Sequence, residues 1–153
     1  MSTTESTHIL IVEDNPGDLR LIRLALSETP GWPVTVSVAR DGEEAISLLE
    51  SRTPEPDPRR LDLVILDFNL PKRSGTEVLR TIRQSDRLFR LPVVVLSSSP
   101  EHFLRAKIQD AQLEANCYLT KPPDLDEFLQ LGPHIRQCYE TGRHGTGSRT
   151  PPN

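Results

Sequence analysis

Long apolar runs are missing from this sequence. Stretches such as Leu63 to Leu66 and Pro92 to Leu96 fall far short of the ~20 residues needed to cross a bilayer, so a membrane-spanning helix is not expected. Positive charge is not in excess either. The formal net charge of −4 leaves no broad basic field for nucleic acid or an anionic membrane, and the expected partner is a protein. Met1 to Thr7 is polar, without the basic and apolar regions of an export signal, which makes the cytoplasm the expected location. Cysteine is scarce. Cys117 and Cys138 stand 21 positions apart without a CxxC or metal-ligand spacing, so each reads as a small buried hydrophobe with no redox role. There is no internal repeat and no glycine-rich phosphate loop, and Gly31, Gly42 and Gly75 read as isolated turn residues. The four histidines, His8, His102, His134 and His144, have no ligand spacing.

What is present fits one domain, the usual content of 153 residues. Strand-length apolar runs recur at Ile9 to Val12, Val34 to Val38, Leu61 to Leu66, Val93 to Leu96 and Cys117 to Leu119, each followed by a helical pattern. Five β-then-α units imply a doubly wound α/β sheet. The nearly continuous apolar runs around Ile9, Leu63 and Val93 suit central parallel strands covered on both faces.

Helix signals punctuate the chain. Asn15 reads as an N-cap with Pro16 at the first helical position, and Leu19, Ile22, Ala25 and Leu26 share a face. Ala45, Ile46, Leu48 and Leu49 mark a second helix, and Thr53 to Arg60, with its prolines, an exposed loop. Val78, Leu79 and Ile82 mark a third helix, and a fourth carrying Phe103, Leu104 and Ile108 starts after Pro100. Leu125, Phe128 and Leu129 share a face of the fifth, and Gly132-Pro133 predicts a kink or restart. Beyond it, Ile135, Cys138 and Tyr139 continue an apolar stripe that could serve as a dimer contact or simply continue the helix. Gly142 to Asn153 has the composition of a disordered tail.

In an open parallel sheet, ligands bind outside the carboxyl ends of the strands. Here those ends carry Glu13-Asp14, then Asp67 with Asn69, then Ser97, then Thr120-Lys121-Pro122. Three gathered carboxylates repel one another, and a hard cation such as Mg²⁺, which takes oxygen ligands and bridges to phosphate, resolves the conflict. Asp67 could then attack a phosphoryl group, with Lys121 offsetting equatorial charge and the Ser97 hydroxyl donating to the product. Each residue alone has an ordinary explanation as a helix-start acid, turn residue, cap or surface lysine. Their joint placement at four strand ends outweighs those explanations.

The segments ILIVEDNPGD, LDLVILDFNLPKRSG, LPVVVLSSS and CYLTKP, in order across about residues 8 to 131, resemble the response-regulator receiver family of two-component signalling. The resemblance implies a flavodoxin-like five-stranded parallel sheet of order 2-1-3-4-5, with helices on both faces and phosphotransfer from a histidine kinase. It implies Asp67 as phosphoacceptor, and Mg²⁺ held by Glu13, Asp14, Asp67 and the backbone carbonyl of Asn69. It also implies Ser97 and Lys121 as phosphate sensors, Tyr118 as an aromatic switch, and a cis Lys121-Pro122 bond. Asn69, Ser98 and Ser99 stand where turnover is tuned, and Ser98 replaces a usual alanine or glycine. Glu114 replaces a glycine before Ala115-Asn116, which puts the usual helix-ending turn in doubt. DFNLPKRSG and ANCYLTKP look most like single-domain regulators paired with bacterial phytochrome-type kinases. The expected organisation is a flexible segment 1–7, a receiver domain 8–140 and a disordered tail 141–153, acting as a homodimer. A haloacid-dehalogenase-like phosphatase is an alternative, but it would want a second acid where Asn69 stands. A non-catalytic flavodoxin-like interaction domain is another.

Overall fold

The computed structural model describes residues 6–50 and 61–148, the last six by backbone alone. The chain alternates β1 (Thr7–Val12), α1 (Pro16–Ser27), β2 (Val34–Ala39), α2 (Gly42–Glu50), β3 (Leu63–Leu66), α3 (Gly75–Arg83), β4 (Val93–Ser97), α4 (Glu101–Asp110), β5 (Cys117–Thr120), α5 (Leu125–Leu129) and α6 (Leu131–Ser148). All neighbouring strands pair parallel, in the order β2-β1-β3-β4-β5. Both the alternation and the strand order match expectation. The predicted loop from Thr53 to Arg60 lies outside the described residues.

Period-two alternation sends side chains to opposite faces of the sheet. Leu10, Val12, Val64, Leu66, Val93 and Val95 meet the apolar faces of α2, α3 and α4. Ile9, Ile11, Leu63, Ile65, Val94 and Leu96 meet α1, α5 and α6. Two cores therefore clamp one sheet, and each fully buried aliphatic side chain stabilises it by about 1.5–3 kcal/mol.

The helix starts obey local chemistry. Asn15 caps α1 by accepting the Asp18 N–H at 2.9 Å, with Pro16 in the first turn. Ser74 and Glu77 form a reciprocal capping box at α3. Gly42 and Gly75 open helices rather than sit in turns, whereas Gly31 does occupy a turn with positive φ. Leu48, Phe103 and Leu125 are largely exposed although their helical spacing groups them with core residues. The end of α4 resolves the doubt raised by Glu114. Gln112 takes the left-handed conformation (φ 61°), its N–H donates to Gln109 O, and the Leu113 N–H donates to Ile108 O. That pair of bonds is a Schellman ending two residues earlier than Glu114, with Leu113 and Ile108 in the same core.

The C-terminal segment departs most from expectation. Gly132-Pro133 does mark a restart, since α5 ends at Leu129 and α6 begins at Leu131. Pro133 has no N–H to donate one turn back to Leu129, and Gly132 permits a close approach, since a Cβ there would lie 2.4 Å from Ala25 O and 2.0 Å from Thr29 Oγ1. Past the restart, Ile135, Cys138 and Tyr139 pack on the domain's own core, and Tyr139 stacks on Trp32 with ring centroids 6.0 Å apart. The stripe continues the core rather than facing outward. Helix α6 extends to Ser148, beyond position 141 where composition predicts a disordered tail, and buried Gly142 lets its backbone approach Asn116 and Pro92. Residues 149–153 lie outside the described part.

The reading of Cys117 and Cys138 as independent small hydrophobes is corrected. The two are joined by a disulfide between the start of β5 and α6, with Cα atoms 6.1 Å apart. The return of the chain through α5 brings them together. The Lys121-Pro122 expectation is corrected too, since no peptide bond among the described residues is cis. Lys121 reaches the site from a trans bond.

Candidate functional site

The strand ends converge as parallel topology requires. The Asp67 N–H donates to Val12 O at 3.0 Å and the Lys121 N–H to Ser97 O at 2.8 Å, so both functional residues sit one step beyond their strands. Backbone pairing therefore fixes where their side chains begin.

Oxygen atoms from Glu13, Asp14 and Asp67 lie within 4.8 Å of one another. Glu13 and Asp67 are buried, while Asp14 is exposed. Glu13 Oε2 accepts the Asn15 N–H at 3.1 Å, but Oε1 is buried without a hydrogen bond, although the Lys121 ammonium stands 2.8 Å away. Burial, reinforced by the neighbouring Asp67 charge, raises the Glu13 pKa to about 7 against the opposing pull of Lys121. A buried carboxylate oxygen that meets only an ion-pair partner, in an all-oxygen cluster of three carboxylates, fits a hard divalent cation, with Glu13, Asp14 and Asp67 as the residues that could hold it.

Lys121 is the counter-charge. Its ammonium lies 2.8 Å from Glu13 Oε1, 2.8 Å from Asp18 Oδ2 and 3.3 Å from Asp67 Oδ2. Burial works against its charged form, but the hydrogen bond to Asp18, the close pairing with Glu13 and the Asp67 charge prevail and push its pKa up. It stays an ammonium throughout the physiological range.

Asp67 Oδ1 accepts the Asn69 N–H at 3.1 Å. Asn69 Nδ2 donates to the fully buried Ser97 Oγ at 3.3 Å, and the Ser99 N–H donates to the same oxygen at 3.3 Å. Ser98 is exposed beside them. Tyr118 does not enter the cluster. It lies half-buried on edge strand β5, with the Arg105 guanidinium 4.4 Å from its ring centroid and Arg105 paired with Glu101 one helical turn away.

Sequence reasoning missed Asp18. The signal was available: α1 starts directly after the end of β1, so a first-turn acid overhangs the carboxyl edge of the sheet.

The response regulator receiver domain profile matches residues 9–131. The chain belongs to the response regulator receiver family. Among curated relatives, this receiver is 38% identical over 123 residues to response regulator Rcp1 of Synechocystis, covering 80% of this chain and 82% of that protein. The probable methanogenesis regulatory protein FilR2 of Methanothrix harundinacea is 37% identical over 133 residues, covering 86% and 82%. Among solved structures, the phosphorylated cyanobacterial phytochrome response regulator RcpA superposes with a TM-score of 0.76 at 36% identity, covering 97% of this chain and all of that one. The Mn²⁺-bound form of Rcp1 gives a TM-score of 0.67 at 33% identity, covering 96% and 99%. The bacteriophytochrome response regulator AtBRR gives 0.65 at 37%, covering 87% and 94%. The family is one of two-component signalling. No helix among the described residues is long and apolar enough to cross a membrane.

Proposed function

We propose that this receiver accepts a phosphoryl group on Asp67 from a phytochrome-type histidine kinase and passes the signal on through contacts with another protein. The observation that carries the reading is the placement of Asp67 Oδ2 3.3 Å from the Lys121 ammonium, in a cluster with Glu13 and Asp14. The kinase class is supported by the likeness to RcpA and AtBRR, both named as phytochrome regulators.

Glu13, Asp14, Asp67 and the Asn69 carbonyl would hold Mg²⁺, which would supply neutralising charge for an incoming phosphoryl group. Asp67 is the nucleophile, and Lys121 balances charge on the equatorial oxygens. The phosphoryl group adds up to about two negative charges, to which the Ser97 hydroxyl can donate while its oxygen accepts from Asn69 and Ser99 as it does now. Asn69, Ser98 and Ser99 line the approach and tune turnover. Tyr118 reports the change along β5, where Thr120 pairs with Ser97 in register. Its ring packs against the core on one side and carries the Arg105 guanidinium 4.4 Å from its centroid, a contact that a change of rotamer would disturb. Homodimerisation belongs to the same reading, through a surface other than the α6 stripe, which packs on the domain's own core.

Incubation with Mg²⁺ and acetyl phosphate tests the assignment. A labile mass gain of one phosphoryl group is expected, absent from Asp67→Asn. Phosphotransfer profiling against histidine kinases should favour phytochrome-type donors at short times, and indifference among donors would sink that pairing.

A further inference from the structure

The site holds one ammonium and more carboxylates than it can satisfy. Asp18 differs from the others. It stands outside the trio whose oxygens gather within 4.8 Å, yet its Oδ2 lies 2.8 Å from Lys121 Nζ, closer than Asp67 Oδ2 at 3.3 Å. Its backbone is fixed independently, because its N–H donates to the Asn15 cap at 2.9 Å. The Lys121 side chain is only 8% exposed and that of Asp18 31%, so water screens this pair less than an open surface pair.

We propose that Asp18 is a positioning residue that holds the Lys121 ammonium on the α1 side and sets how readily it turns to a phosphoryl group on Asp67. The proposal rests on the reading of Asp67 as phosphoacceptor. When Glu13 and Asp67 are committed to a divalent cation, Asp18 is the carboxylate left to compete with the phosphoryl oxygens for the ammonium. A resting pair of this kind makes the unphosphorylated state more favourable. Its removal frees the lysine without touching the phosphoacceptor or the cation ligands.

Beryllofluoride, a phosphoryl mimic, provides the measurement, titrated with Mg²⁺ present and followed by amide NMR shifts at Ser97 and Thr120. Asp18→Asn is expected to lower the half-saturating concentration about threefold to tenfold, the range of coupling for charges in contact. Asp18→Glu, which retains the carboxylate, should return it toward the wild-type value. In a Lys121→Met background, Asp18→Asn should change nothing. The gain should also persist near 1 M salt, where the screening length is about 3 Å and only contact pairs survive. Unchanged affinity in Asp18→Asn overturns the proposal. So does a gain that vanishes in salt or persists without Lys121, since either shows a diffuse charge effect. If Asp67→Asn binds the mimic as the wild type does, the phosphoacceptor assignment itself fails, which separates the two failures.

Discussion

The two ends of this sheet solve opposite problems. At the carboxyl end, three carboxylates gather, one buried oxygen lacks a hydrogen bond, and a single lysine is shared among Glu13, Asp18 and Asp67. At the amino end, polar groups are paired and surfaces are closed. Trp32 Nε1 donates to Thr7 Oγ1 at 3.1 Å while its ring stacks on Tyr139. Asn116 Oδ1 accepts from the Val93 N–H at 2.7 Å and from Arg83 at 3.1 Å, and the disulfide ties the start of β5 to α6. Unsatisfied charge is tolerable at one end because the other is well held, and that charge makes the carboxyl end receptive to a cation and an anion together.

Breaking the amino end should have the largest effect on stability. Ile135→Ala removes a fully buried side chain that seats α6 on the core, and should lower unfolding free energy by about 4 kcal/mol in a urea titration. A loss below ~1 kcal/mol would show that α6 is not part of the cooperative unit. Cutting the disulfide comes next. Cys138→Ser, or a reductant, opens a link across 21 residues and should reduce stability by about 3 kcal/mol, seen as a lower melting temperature. The variant should be indifferent to reductant.

At the carboxyl end the sign reverses. The Glu13 pKa is raised from 4.5 to about 7 on folding, mainly by burial, so between those values the folded chain binds the proton more tightly than the unfolded chain. Its contribution to metal-free stability is therefore greatest below about pH 4.5 and is lost as pH rises through 7. Glu13→Gln should stabilise the metal-free protein at pH 8 by about 2 kcal/mol and flatten that part of the pH profile. Saturating Mg²⁺ should reduce the wild-type slope by binding the ionised form. A wild-type protein more stable at pH 8 than at pH 6 without metal would contradict the raised pKa, provided Glu13→Gln removes the difference. The smallest effect lies at the end of α4. Gln112→Gly relieves a left-handed conformation that side chains resist, and should stabilise by about 0.5–1 kcal/mol without altering phosphoryl uptake.

Legibility followed contact distance along the chain. The strands were visible because each apolar run is local, and their ends named Glu13, Asp14, Asp67, Ser97 and Lys121 because parallel topology brings every strand end to one edge. The Asn15 cap and the restart at Gly132-Pro133 are also local signals. Tail composition could not show where the packed part of α6 ends, since the glycine that weakens an isolated helix is also what permits close packing at Gly142. The cysteine spacing matched no motif, because the pairing depends on how α5 and α6 fold back over β5. The left-handed turn fell on Gln112 because the Schellman bonds and the Leu113 contact decide where the helix stops.

By itself, then, the sequence determined the α/β alternation, the family with its strand order, and the identity of the residues at the strand ends. Tertiary structure alone decided that Ile135, Cys138 and Tyr139 face inward, that Cys117 meets Cys138, and that Lys121 reaches its neighbours from a trans bond. It also decided that Lys121 answers to Asp18, 103 residues earlier in the chain. Periodicity and motif report on residues within one element, whereas partnership between distant charges depends on which elements the buried core brings side by side.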